Sequence, residues 1–336
     1  MAGFSRQLGI DLGTFHTQIA ENNQILVQEP TVVAITVNEM KMVELGTTAL
    51  GMMGRVPESI EVIRPLRNGV IAEYELTEIL LRTLIRRVTG PTLFFKPQLL
   101  ISVPYGVTSV ERRAVQEAGL GAGGREVNWI PQPLAAAIGI DLPINSPTGN
   151  MIISLGGGTT QAAVISMTGI VSAETTSVAG LRLDDAIASY VRKKYGLVIG
   201  QPTAEQLKIK IGSALPVDEE KTMDIQGQDQ VSGLPKPATL STNEIVDALQ
   251  SPLEDIVTTI RRVLEKTPPE LISDVIDRGV ALCGGTSLMK GLDKYLTVAL
   301  GIPAYVVDNP LTCTVEGTAK GFESLDLILR NHPNYS

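Results

Sequence analysis

Residues 151–166, MIISLGGGTTQAAVIS, leave the chain few ways to fold. An apolar run enters three consecutive glycines, two threonines follow, and apolar residues resume at Ala162, Val164 and Ile165. This is the pattern of a β-hairpin whose turn carries Gly156, Gly157 and Gly158. Glycines without Cβ atoms reach φ > 0, so the pattern predicts several N–H groups converging on an anion, with Thr159 and Thr160 adding hydroxyls. A tight hairpin with no ligand is the plainer reading of such a cluster taken alone. Residues 8–17, LGIDLGTFHT, repeat the design: an apolar strand, Asp11, then a turn at Gly13 and Thr14. Two strand-turn-strand phosphate grips in one chain point to two related lobes facing one nucleotide.

The 336 residues are too many for one typical domain and comfortable for two, and a 43% hydrophobic share is ample for two cores. Lys and Arg number 28 against 36 Asp and Glu, and the net charge of −8 excludes nucleic acid as a bulk partner, since that binding needs basic excess. Cys283 and Cys313 have no metal or redox spacing, and no signal-peptide pattern is present, so the expectation is a reduced intracellular setting with free thiols. No apolar run approaches the ~18 residues that span a bilayer.

In chain order, strands at 18–20 and 25–27 and a β-branched run at 31–37 predict a β-meander over 8–37, and 38–68 reads as a small insertion. Residues 74–88 form an amphipathic helix ended by Gly90 and Pro91. Leu93, Phe94 and Phe95 then sit on a loop ahead of the strand 98–103; they either fold under the neighbouring helix or anchor to a membrane or partner. A helix at 108–118 follows, and Ala135, Ala136 and Ala137 in 129–140 let a helix approach the sheet closely. Beyond the central hairpin, a helix at 183–195 is opened by Asp184 and Asp185, and one at 203–212 is capped by Thr203. Residues 215–240 form strands and turns of a second insertion. In the helix 242–266, Pro252 predicts a kink or a break. A strand at 279–282 feeds the glycine turn Gly284, Gly285, Thr286, Ser287 and a helix at 288–300, an anion-binding arrangement; a last helix covers 315–329.

LGIDLGT at 8–14, IRPLRNGVI at 63–71, VPYGVTSVERRAV at 103–115, PLAAAIG at 133–139, GGGTTQAAVIS at 156–166, TAEQLKIKIGSA at 203–214 and ALCGGTSLMKGL at 281–292 together resemble the MreB family of bacterial actins, almost end to end. More broadly the chain resembles the actin, sugar-kinase and heat-shock-ATPase superfamily. The resemblance implies an α/β, actin-like fold in which two RNase-H-like lobes, each with a small inserted subdomain, clamp ATP or ADP with Mg in the cleft. The implied division is 1–37 and 69–150 for the first core, with 315–336 packing back on it; 38–68 for its insertion; 151–182 and 241–314 for the second core; and 183–240 for its small subdomain.

It also implies roles. Asp11 faces the metal through water, and Gly13, Thr14, Phe15 and His16 grip phosphate together with Gly156, Gly157, Gly158 and Thr159. Glu205, Gln206, Leu207 and Lys208 lie on the adenosine side, and Gly284, Gly285, Thr286 and Ser287 at the adenine. Leu93, Phe94 and Phe95 match the family's membrane-insertion loop. The family assembles into paired protofilaments at the inner face of the cytoplasmic membrane and organises cell-wall synthesis proteins and rod shape.

Three positions depart from the family's pattern: Ser154 stands for Asp, Gln132 for Glu and Gln161 for Glu. With Asp11, Gln132 and Gln161 are the candidate catalytic residues. An amide orients water but accepts no proton, so ATP hydrolysis is expected to be slowed while binding persists. Actin itself is similar to this chain in having glutamine at the Gln132 position. His16, where the family often has Asn, either reaches a phosphate or faces solvent. The alternatives are a superfamily kinase, which needs a substrate carboxylate in the cleft; a chaperone ATPase, whose extra domain 336 residues leave no room for; and a scaffold that binds nucleotide without hydrolysing it.

Overall fold

The computed structural model describes residues 6–90 and 96–331, so Leu93, Phe94 and Phe95 lie outside the described residues. The first lobe opens with β1 (Gln7–Leu12), β2 (His16–Glu21) and β3 (Gln24–Pro30), an antiparallel meander. Pro30, with no N–H to offer, ends that ladder. The run at 31–37 therefore does not extend the meander. Its strand β4 (Val33–Thr36) pairs instead with β5 (Met42–Leu45) and, across helix α1 (Gly46–Met52), with β6 (Ile60–Ile63) in a small separate sheet.

A short hairpin of β7 (Leu66–Arg67) and β8 (Val70–Ile71) leads to α2 (Tyr74–Thr89), whose Leu76, Leu80, Leu81, Leu84 and Ile85 are buried. Next come β9 (Gln98–Val103), α3 (Ser109–Gly121), β10 (Glu126–Pro131) and α4 (Gln132–Gly139). Thr108 caps α3 in a full capping box with Glu111. The main sheet runs β10-β9-β1-β2-β3, with β9 parallel to both β1 and β10.

The second lobe repeats the plan. Its strands β11 (Asn150–Leu155), β12 (Thr160–Ser166) and β13 (Gly169–Thr176) form the meander, followed by α5 (Gly180–Tyr195), β14 (Leu197–Val198), α6 (Gln201–Ile211), β15 (Thr222–Asp229) and β16 (Pro235–Ser241). Helices α7 (Thr242–Glu265) and α8 (Pro269–Arg278) lead to β17 (Val280–Cys283), α9 (Leu292–Leu300) and β18 (Ala304–Val306). The sheet order β13-β12-β11-β17-β18 mirrors that of the first lobe. After it, α10 (Cys313–Lys320) returns to pack on α4, β1 and β2.

Several local expectations change. Helix α5 starts at Gly180, so Asp184 and Asp185 sit beyond its first turn, and Asp184 is buried. Helix α6 is capped at Gly200 rather than Thr203, because Pro202 fits the opening turn. Helix α7 runs unbroken through Pro252: burial of Ile245, Leu249, Leu253, Ile256, Ile260 and Val263 on both sides of it outweighs a cost of about 3 kcal/mol. After β17 there is only a 3-10 turn, Gly285–Leu288, before α9, so no α-helix N-terminus opens at that glycine turn.

Each lobe has its own aliphatic core. A third cluster joins them, taking Leu100 and Ile130 from the first sheet, Ala135, Ala136 and Ala137 from α4, and Ile152, Ala163 and Ala281 from the second sheet. The tightest approach of α4 is to another helix, α10, and glycines rather than the alanines make it. A Cβ on Gly317 would lie 1.7 Å from the Ala135 carbonyl oxygen, and one on Gly139 1.9 Å from that of Cys313.

Candidate functional site

The two hairpin turns meet between the lobes. Beside them opens a cavity of about 560 Å³ whose walls include Asp11, Gly13, Thr14, Gln132, Ser154 and Gly157. None of Gly156, Gly157 and Gly158 has a positive φ, contrary to the expectation from the sequence. Crowding from the other lobe is what requires glycine here. A Cβ on Gly157 would lie 2.4 Å from Phe15 Cδ2, and one on Gly158 2.3 Å from Thr14 Oγ1. Thr14 Oγ1 also accepts the Gly69 N–H at 2.8 Å, and the Thr286 hydroxyl donates to the Gly156 carbonyl at 2.9 Å, tying the third glycine turn to the second.

At the floor, polar side chains form one chain across the lobes. Ser102 Oγ and Gln132 Nε2 both donate to Asp11 Oδ1, at 2.5 and 3.1 Å. Gln161 Nε2 donates to Gln132 Oε1 at 2.5 Å and to Thr159 Oγ1 at 3.2 Å, while its Oε1 accepts the Tyr105 backbone N–H at 2.8 Å. That backbone donor sets the whole order. It fixes the Gln161 oxygen, which turns the Gln161 nitrogen to Gln132 and the Gln132 nitrogen to Asp11. Burial raises the Asp11 carboxyl above the ordinary carboxylate range, and the bonds from Ser102 and Gln132 pull it back.

Helix α6 supplies the outer wall through Glu205, Lys208 and Ile209. Gln206 is exposed and Leu207 is buried in the second lobe's core, so neither faces the cavity, and both leave the candidate set. Gly284 and Ser287 leave it too. Gly284, at φ +84°, packs against the Leu155 carbonyl, and the Ser287 hydroxyl donates to the Gly284 carbonyl; Gly285 and Thr286 remain in the wall. His16 lines the cavity, its imidazole held below the usual value by desolvation and then by the charge of Arg64. The wall also holds Gln18, Leu288, Met289 and Leu311, which sequence reasoning passed over.

Lys208 has a structural duty: its Nζ is 2.7 Å from Asp184 Oδ1 and donates to the Gly180 carbonyl at 2.9 Å. Burial pushes the Asp184 carboxyl up to about 6, with Lys208 opposing. Because the folded value exceeds the unfolded one of about 3.9, stability falls as pH rises from about 4 to 6 and Asp184 ionises. Lys208→Ala removes the main counter-charge and raises that carboxyl further. The expected loss is about 3–5 kcal/mol at pH 8, shrinking below about pH 5 where Asp184 is protonated. Urea unfolding at the two pH values measures it, and equal losses would mean that Lys208 acts through packing alone.

Two lobes of matching topology, each presenting a strand-turn-strand hairpin to a shared interlobe cavity, define an actin-like protein. The chain superimposes on the crystal structure of MreB 5 of Spiroplasma citri bound to AMPPNP with a TM-score of 0.92, at 34% identity and covering 98% of this chain and 99% of that one. The MamK double helical filament has the same fold at a TM-score of 0.80 and 20% identity, covering 94% and 98%. Residues 5–330 match the MreB/Mbl protein family. Cell shape-determining protein MreB of Escherichia coli (strain K12) is 44% identical over 330 residues, 96% of this chain and 95% of that protein. Cell shape-determining protein Mbl of Bacillus subtilis (strain 168) is 42% identical over 326 residues, 97% and 98%. The chain belongs to the MreB/Mbl family.

Proposed function

We propose that this chain binds ATP between its lobes and polymerises into filaments that lie on the inner face of the cytoplasmic membrane and organise cell shape. The observation that carries the reading is the pair of hairpins interlocked at Phe15, Gly157, Thr14 and Gly158 beside the interlobe cavity. The AMPPNP and ADP named for the Spiroplasma citri structures support a nucleotide as its guest, and the shape-determining relatives support the cytoskeletal role. Membrane contact is assigned to Leu93, Phe94 and Phe95. Among the described residues no helix is long and apolar enough to cross a membrane, so attachment is read as peripheral. A few such side chains, at about 1.5–3 kcal/mol each, hold a monomer weakly and a polymer strongly.

No group of three or more His, Cys, Asp or Glu among the described residues could hold a metal by protein ligands alone. One carboxylate fits a magnesium ion that keeps most of its water: Asp11 receives both of its hydrogen bonds on Oδ1, leaving Oδ2 for a metal-bound water, and Ser154 lines the same cavity. With nucleotide, magnesium would supply charge neutralisation at the phosphates. Gln161 spends both amide hydrogens inside the network, whereas Gln132 keeps one N–H and one oxygen lone pair for a water in the cleft. These groups orient that water and take no proton from it, which supports slow hydrolysis.

Electron microscopy of the purified chain on lipid, with and without ATP, tests the reading. Filaments on the lipid that depend on ATP are expected; a chain that stays dispersed in every condition would overturn it.

A further inference from the structure

Arg64, between β6 and β7, has no role in the site described so far. Its guanidinium carbon lies 4.0 Å from the centroid of the Phe15 ring, and Nη1 is 3.5 Å from the Thr14 carbonyl oxygen, so the cation backs the first phosphate hairpin. Phe15 in turn abuts Gly157 of the second hairpin. Its other terminal nitrogen, Nη2, is buried with no hydrogen-bond partner. A buried charged donor left unpaired is costly, and a planar guanidinium can stack on a ring while donating in its own plane. The carboxylates whose charge it feels most are Glu205 and Asp184, both on the second lobe. Asp184 is taken by Lys208, which leaves Glu205, half-buried in the opposite wall.

We propose that Arg64 is the first lobe's closing residue: from behind the first hairpin it pairs with Glu205 of the second lobe and retains a bound nucleotide. The proposal rests on the reading of the cleft as a nucleotide site. Seated on Phe15 and the Thr14 peptide, Arg64 moves with the first lobe, so closure of the lobes around a nucleotide carries the guanidinium toward Glu205. Release then requires this pair to break. Arg64 is a positioning residue with no part in the chemistry.

The test is release of a fluorescent ATP analogue chased with excess ATP, followed by stopped flow. Arg64→Gln is expected to release it about tenfold faster or more, the equivalent of one charge-assisted hydrogen bond. Raising salt should speed release more from the parent than from Arg64→Gln, a difference that a merely structural role would not produce. In a Glu205→Gln background, Arg64→Gln should add nothing. If Arg64→Gln fails to fold, as judged by circular dichroism, Arg64→Lys keeps the charge without the planar fork and is expected to release at an intermediate rate. A parent that never binds the analogue overturns the nucleotide reading itself; a parent that binds, with release unchanged in the folded variant, overturns only the role of Arg64.

Discussion

Gly157→Val is expected to weaken nucleotide binding by at least about a hundredfold, measured by titration of a fluorescent ATP analogue. A Cβ at this position would lie 2.4 Å from Phe15 Cδ2 and 2.9 Å from its Cβ, so the hairpins must separate before any branched side chain fits. Separation takes backbone N–H groups off a phosphate, and two charge-assisted hydrogen bonds at about 1.5–3 kcal/mol each account for the hundredfold figure. The cause can be isolated. If crowding against Phe15 is the fault, Phe15→Ala in the same chain should recover a large part of the binding, which a requirement for positive φ would not allow. Unchanged affinity in Gly157→Val would refute the assignment of the hairpins to phosphate.

The double variant Gln132→Glu, Ser154→Asp is expected to release phosphate faster than the parent in single-turnover measurements, by up to the 10²–10⁴-fold that general-base help supplies. Gln161 Nε2 already points at the side-chain oxygen of residue 132, so a carboxylate there finds a donor waiting. Its other side meets Asp11, and two carboxylates at that spacing tolerate each other only with a cation or a proton between them. The gain should therefore be steeper in magnesium concentration than the parent's basal rate. Equal rates in parent and variant, with the parent as fast as its carboxylate-bearing relatives, would show that glutamine alone sustains ordinary hydrolysis.

The hairpins were legible because glycines and threonines interrupt an apolar alternation, a local signal. Their physical reason was not legible. The triple glycine looks like a demand for φ > 0, yet it answers to Phe15 and Thr14 in a turn far away in sequence, and only the assembled cleft puts those atoms in place. Helix α6 shows the converse. The helical period alone sets Glu205, Lys208 and Ile209 on one face and Leu207 on the other, which takes Leu207 out of the site. The polar chain of Asp11, Gln132 and Gln161 was visible as three residue types, but its order depends on the Tyr105 N–H, a backbone group that no side-chain pattern announces. Arg64 lies within IRPLRNGVI at 63–71, and its neighbours come from three separate segments. Strand β4 was misassigned because β-branched residues announce a strand without saying which sheet receives it.

The crossing of α4 and α10 bears on what mutation can explore. Most tight contacts pair two side chains, so an enlargement on one side can be offset by a reduction on the other, and the two positions drift together. At Gly139 and Gly317 the opposing atoms are the carbonyl oxygens of Cys313 and Ala135, which every amino acid carries. No exchange of side chains elsewhere makes room. The two glycines are thus fixed one at a time rather than as a pair, and a library of double variants would contain no rescuing partner for either, leaving the joint between the lobes among the least evolvable parts of the chain.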